Sequence, residues 1–179
     1  MTLSVAQLDT MPEAEAAFKL AACCGSSMWV AGMVARRPFH SRDKLLAAAD
    51  EIALTLQPAD WLEAFAHHPR IGERQAGAMV SATAAQWSNG EQSASSQASA
   101  DTRGALVEAN AEYERKFGFI FIIYANGRGA AEILSSLRGR LSNEADAEIF
   151  IAAREQQQIT RLRLEKLVPA SRIAGGARP

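Results

Sequence analysis

Cysteine is scarce in this sequence: there are two, Cys23 and Cys24, and they are adjacent. A disulfide between chain neighbours is strained, and without a second pair there is no thiolate set for a structural metal. The two read instead as small apolar residues at a helix end in a reducing, cytoplasmic compartment. Long hydrophobic runs are missing as well. The longest, residues 117–125, is broken by Gly118 and falls far short of the ~20 apolar residues that a membrane span needs. The first residues carry no basic segment ahead of an apolar core, so no secretory leader is expected. Charge of neither sign is in excess: 19 Lys and Arg stand against 20 Asp and Glu, a formal net charge of -1. No basic field marks a nucleic acid or an anionic membrane as partner. No metal-ligand spacing and no glycine-rich phosphate loop occurs either, so no metal is expected.

What the sequence does have is alanine, leucine and helical periodicity. Its 179 residues suit one domain, long enough to bury roughly 70% of its unfolded surface. A short helix is expected over 4–9. Thr10 then reads as the cap, and Pro12 as the first turn, of a helix whose apolar side is Ala14, Ala17, Phe18, Ala21 and Ala22. Gly25 ends it. Ser26 caps the next helix, over 28–35, which Pro38 terminates. Ser41 starts an amphipathic helix, with Leu45, Leu46, Ala49, Ile52, Ala53 and Leu56 recurring at three and four residues. Pro58 opens a short helix with Trp61, Leu62 and Phe65 on its apolar side.

The second half is less regular. Residues 81–104 have the Ala/Ser/Gln/Gly composition of a linker, but Ser88-Asn89-Gly90-Glu91 has the spacing of a capping box. It predicts a helix from there to about residue 116. Residues 117–124 are rich in β-branched and aromatic side chains, yet no second strand exists to pair with them. They read as an extended or partly helical buried segment whose free backbone groups need partners, a bound ligand among them. Asn126-Gly127 is a turn, and 130–141 a helix. Ser142-Asn143 reads as the cap of the last helix, 144–167, with Ala147, Phe150, Ile151, Ile159, Leu162 and Leu167 towards the core. This sums to an all-α fold, a single compact domain of seven to nine helices over residues 1–168, followed by a loose tail over 169–179.

The chemistry is densest at His67-His68-Pro69-Arg70-Ile71-Gly72-Glu73. The residue before a proline is pushed out of the α region, so His68 sits just past a helix end in an extended or turn conformation. A loop so restricted can hold an imidazole in one orientation, as general acid/base work requires. A helix-ending loop with solvated histidines fits the same residues. Ser88 and Glu91 fit a cap as well as a ligand site.

Taken together, these constellations resemble the OHCU decarboxylase family. The residues that carry the resemblance are Cys23-Cys24-Gly25-Ser26 with Trp29-Val30, then Arg37-Pro38-Phe39, the His67-His68-Pro69-Arg70-Ile71-Gly72 loop, Trp87-Ser88 with Glu91-Gln92, Lys116-Phe117-Gly118-Phe119, and Arg161-Leu162-Arg163-Leu164. They run in order through nearly the whole chain. The resemblance implies an all-helical fold, usually a homodimer, and cofactor-independent conversion of an anionic ureidoimidazoline, 2-oxo-4-hydroxy-4-carboxy-5-ureidoimidazoline, to (S)-allantoin in urate degradation. It also implies residue roles. His68, directly before proline, and Glu91 are catalytic. Pro69, Ser88, Gln92 and Arg163 bind substrate, with Arg161 as the alternative arginine. Backbone groups of Phe119, Ile120, Phe121, Ile122 and Ile123 contact it.

Two other function classes fit the residues. A non-enzymatic helical interaction module would use the amphipathic helices and the Ser/Ala-rich stretch for docking, and it predicts an exposed apolar groove with no polar pocket at His68. A helical hydrolase or isomerase acting on a related ureido compound predicts the pocket and a different product.

Overall fold

The computed structural model describes residues 2–71, 82–91 and 99–170. It folds into α1 (Val5–Thr10), α2 (Glu13–Ala21), α3 (Ser27–Ala35), α4 (Arg42–Ala53), α5 (Pro58–Ala66), α6 (Ala82–Glu91), α7 (Ala100–Phe117), α8 (Ala130–Arg140) and α9 (Ala145–Leu167). The fold is all-α, as the periodicity predicts, with nine helices among the described residues.

Serine side chains decide where several of these helices begin. Ser4, Ser26, Ser41 and Ser99 each accept a hydrogen bond from the backbone N–H three residues on, at the starts of α1, α3, α4 and α7. Each satisfies one of the four orphan donors at a helix start. Pro58 occupies the first position of α5, where its missing N–H costs nothing. Gly118 ends α7 in the left-handed conformation, at φ 78, which glycine adopts without steric penalty.

The helices pack around two apolar clusters. One gathers Leu8, Leu20, Trp29, Met33 and Leu45 from α1–α4 with Leu164 and Leu167 of α9. The other gathers Phe65, Leu106, Tyr113, Ile133, Leu137 and the 119–125 segment with Ala152 and Ile159 of α9. The 23-residue α9 therefore runs through both, against α4, α5 and α7. No helix among the described residues is long and apolar enough to cross a membrane.

Several local expectations are corrected. Thr10 does not cap α2: it ends α1, and its hydroxyl donates to the Ala6 carbonyl at 2.8 Å, while Pro12 is the cap residue. The buried side of α2 is Ala16 and Leu20, and Phe18 is 66% exposed. Alternating Glu and Ala leave more than one face of that helix readable as apolar. Ser88 does not start the helix expected to run to about 116, whose later part is present as α7. Ser88 and Glu91 lie at the C-terminal end of α6, and α7 begins behind Ser99. A spacing of three, which reads as a capping box, also places two side chains on one helical face. Ser142 and Asn143 do not cap α9, whose cap residue is Glu144. Ser142 donates to the Gly139 carbonyl, and Asn143 turns inward to Glu148. On α9 itself Ala147 and Phe150 are exposed, and the buried face carries Glu148, Gln156, Thr160 and Arg163.

Candidate functional site

The loop after α5 fixes two histidines differently. His67 caps α5, and its Nδ1 donates to the Glu63 carbonyl at 2.9 Å. Its ring lies so close to Gly25 that a Cβ there would stand 2.5 Å from His67 Cγ. His68 lines a pocket with Pro69 and Ile71. Burial first, and then the Arg163 guanidinium, push the His68 imidazole down to about 3, with the nearby Gln156 side chain acting in the opposite direction. At neutral pH this ring is uncharged, a proton acceptor.

The 119–125 segment forms the opposite wall. Among the described residues it has no strand partner, and side chains do the work of a ladder. Arg140 Nη1 donates to the Ile122 carbonyl at 2.8 Å, and the Tyr124 N–H donates to Glu155 Oε2 at 2.6 Å. Arg140 is itself held through Nε by the fully buried Glu148 at 2.6 Å. Glu148 also accepts from Asn143 and from the Tyr113 hydroxyl. Burial, then that last bond, pushes the Tyr113 phenol far above its ordinary range.

A charge cluster closes the site. Arg163, 4% exposed, donates from Nη2 to Ser88 Oγ at 2.8 Å and to Glu91 Oε2 at 3.0 Å, and from Nε to Glu91 Oε1 at 3.3 Å. Lys166 adds a second cation, with Nζ 3.1 Å from Glu91 Oε1. These buried charges are paired and hydrogen-bonded, as burial demands.

Of the residues singled out in the sequence, His68, Pro69, Ser88, Glu91 and Arg163 line one pocket of about 30 Å³, together with Phe121, Ile122 and Ile123. Phe119 instead packs in the core against Phe65 and Tyr113, and Ile120 is partly buried beside the same cluster. Gln92 lies outside the described residues. Arg161 points away, paired with Asp50 at 2.7 Å. Reading the sequence missed Ile71, Ala125 and Ile159 on the pocket wall, Gln156 against His68, and Lys166 on Glu91. Gln156 and Lys166 stand seven residues before and three after Arg163, so helical spacing from that arginine finds both. A larger cavity of about 520 Å³ between α4, α5 and α9 is lined by Trp29, Trp61 and Phe150. Its one carboxylate, Asp50, is occupied by Arg161 and Gln157, so the proton-transfer groups belong to the smaller pocket.

The chain is similar in sequence and fold to known proteins. The sequence profile described as OHCU decarboxylase matches residues 9–165. The uric acid degradation bifunctional protein TTL of Arabidopsis thaliana is 40% identical over 145 residues, 81% of this chain and 45% of that protein. The chain thus spans less than half the length of that relative. The 2-oxo-4-hydroxy-4-carboxy-5-ureidoimidazoline decarboxylase of Amia calva is 32% identical over 74% of this chain and 75% of its own length. A crystal structure of OHCU decarboxylase in the presence of (S)-allantoin superposes with a TM-score of 0.74 at 37% identity, covering 85% of this chain and 98% of the other.

Proposed function

The chain belongs to the OHCU decarboxylase family, and from that premise we propose that it decarboxylates 2-oxo-4-hydroxy-4-carboxy-5-ureidoimidazoline to (S)-allantoin in urate degradation. The observation that carries this reading is the meeting of an uncharged imidazole, His68, with the Arg163–Glu91–Ser88 cluster across one small pocket.

The substrate supplies its own electron sink. Its carboxylate sits on a carbon that also bears a hydroxyl, next to a carbon in a C=N bond. As the C–C bond to the carboxylate breaks, its electron pair forms a double bond to that neighbour, and the C=N pair moves to nitrogen, which takes a proton. The hydroxyl then gives up its proton as it becomes a carbonyl, and the ureido-bearing carbon gains one on a single face. Orientation, exclusion of water and proton transfer are what remain for the protein. His68 accepts the hydroxyl proton. Arg163 anchors the carboxylate through its fork of donors. Ser88 hydrogen-bonds the ring, and Glu91 beside the departing carboxylate favours its loss. Further substrate contacts are assigned to Pro69, to Gln92 and to the backbone of 119–123.

The substrate is unstable, so the test generates it in place from urate with urate oxidase and hydroxyisourate hydrolase while circular dichroism follows chiral product. Rapid (S)-allantoin with the native chain, and background rates with His68→Asn, are expected. Slow racemic product in both samples would overturn the reading.

Residues 1–168 suffice for this activity, and a chain cut after Ala170 keeps full turnover. We assign the work to the cytoplasm, supported by two buried free thiols, Cys23 and Cys24; fractionation against a cytoplasmic marker tests it. Self-association into a homodimer is assigned to the α2–α3 face, where Phe18 and Met28 are 66% and 59% exposed. Sedimentation of Phe18→Glu as a monomer beside a dimeric native chain is the expected result, and a monomeric native chain would refute it.

A further inference from the structure

The carboxylate of Glu91, 7% exposed, is gripped from two sides. Arg163 reaches it with Nε and Nη2, and Lys166, three residues further along α9, with Nζ at 3.1 Å. Arg163 Nη2 is also committed to Ser88. The Nε/Nη2 edge of that guanidinium is therefore fully engaged, and among the described residues Nη1 makes no hydrogen bond. Two cations against one carboxylate leave the trio with an excess positive charge. Without Lys166, Arg163 and Glu91 would be a closed, neutral pair with no surplus to attract an anion.

An arriving carboxylate competes with Glu91 for the same guanidinium. If Arg163 were the sole cation on Glu91, that exchange would strand a buried carboxylate, which is costly. Lys166 removes the obstacle. Its side chain is 32% exposed, so it can follow Glu91 while the arginine turns. We propose that Lys166 is a positioning residue of this pocket, which holds Glu91 and supplies the surplus charge that frees Arg163 to bind the carboxylate of a small ureido acid. This rests on the decarboxylase reading for the identity of the substrate, but the anion affinity does not require turnover.

The experiment compares Lys166→Met, Lys166→Gln and Lys166→Arg. In the coupled assay, Lys166→Met and Lys166→Gln should raise KM about tenfold, the effect of one partly screened charge, with kcat within about twofold, the pattern of lost ground-state binding. Lys166→Arg should restore KM. Lys166→Gln keeps a donor for Glu91 without the charge, so it separates charge from hydrogen bonding and serves if the Met variant fails to fold. Calorimetry supplies a readout independent of turnover. Allantoate, an anionic ureido acid, should bind the neutral variants about tenfold more weakly than the native chain, while (S)-allantoin, which is uncharged, should bind all four alike. Lys166-dependent allantoate binding by a native chain that makes no (S)-allantoin would uphold the proposal and sink the decarboxylase reading. Unchanged KM and unchanged allantoate affinity, or no allantoate binding by the native chain, would overturn the proposal, whatever the melting temperatures do.

Discussion

Acid should destabilise this protein through His68 before most carboxylates titrate. An unfolded chain protonates a histidine near 6.5. In the folded state burial and Arg163 hold His68 down to about 3. Between those values the unfolded state carries one proton more, so stability rises with pH there and falls as pH is lowered. The penalty is absent above about pH 6.5 and grows by about 1.4 kcal/mol per unit below it. At pH 4.5, two units down, it reaches roughly 2.7 kcal/mol, a large share of the ~5–15 kcal/mol that holds a domain together. Urea denaturation of the native chain and of His68→Asn at half-unit steps from pH 4.5 to 7.5, at fixed ionic strength, isolates the effect. Subtracting one stability curve from the other cancels the carboxylates common to both. The difference should be flat above pH 6.5 and slope at about 1.4 kcal/mol per unit below. The acid limb of kcat/KM, which reports the free enzyme, should likewise lie well below 6.5. A difference curve flat throughout, or an acid limb at 6 to 6.5, would mean a hydrated imidazole and would refute the reasoning.

Two further outcomes follow from the packing. Glu148→Ala strands Arg140 and removes the acceptor of Tyr113 and Asn143. A loss of about 3–5 kcal/mol is expected, read in calorimetry as a fall in Tm of roughly 10 °C, with Glu148→Gln in between; a shift under about 2 °C for the alanine variant would contradict the buried pairing. Gly25→Ala drives a Cβ to within 2.5 Å of the His67 ring, so it should cost about 1–3 kcal/mol and lower turnover by displacing the loop that carries His68. An unaltered midpoint in urea would show that the ring has room to move.

The parts legible in the sequence were those written locally. Ser26 and Ser41 announce their helices because a cap bonds only three residues ahead. That 117–124 is a buried segment was readable from its composition, while its division between the end of α7 and an irregular stretch was not. What escaped was long-range. Ser88 and Glu91 take partners 72 to 75 residues away on α9, and no local pattern separates that pairing from a cap. The inward face of α9 is polar because Arg140, Glu91 and Ser88 neutralise it from other helices. Apolar periodicity therefore pointed to Ala147 and Phe150, both exposed.

One helix also serves as the gauge of the pocket. Glu148 reaches the Ile122 carbonyl through Arg140, Glu155 takes the Tyr124 N–H, and Arg163 faces the opposite wall. Along α9 these residues are seven and eight positions apart, about 10 Å and 12 Å of rise. The gap between main-chain wall and guanidinium is thus ruled off by helical pitch, with no loop in the measurement. A single inserted residue between Glu148 and Arg163 would slide one jaw about 1.5 Å and swing it by about 100°. The interval from 148 to 163 is a strut within α9 whose register sets where the two walls stand.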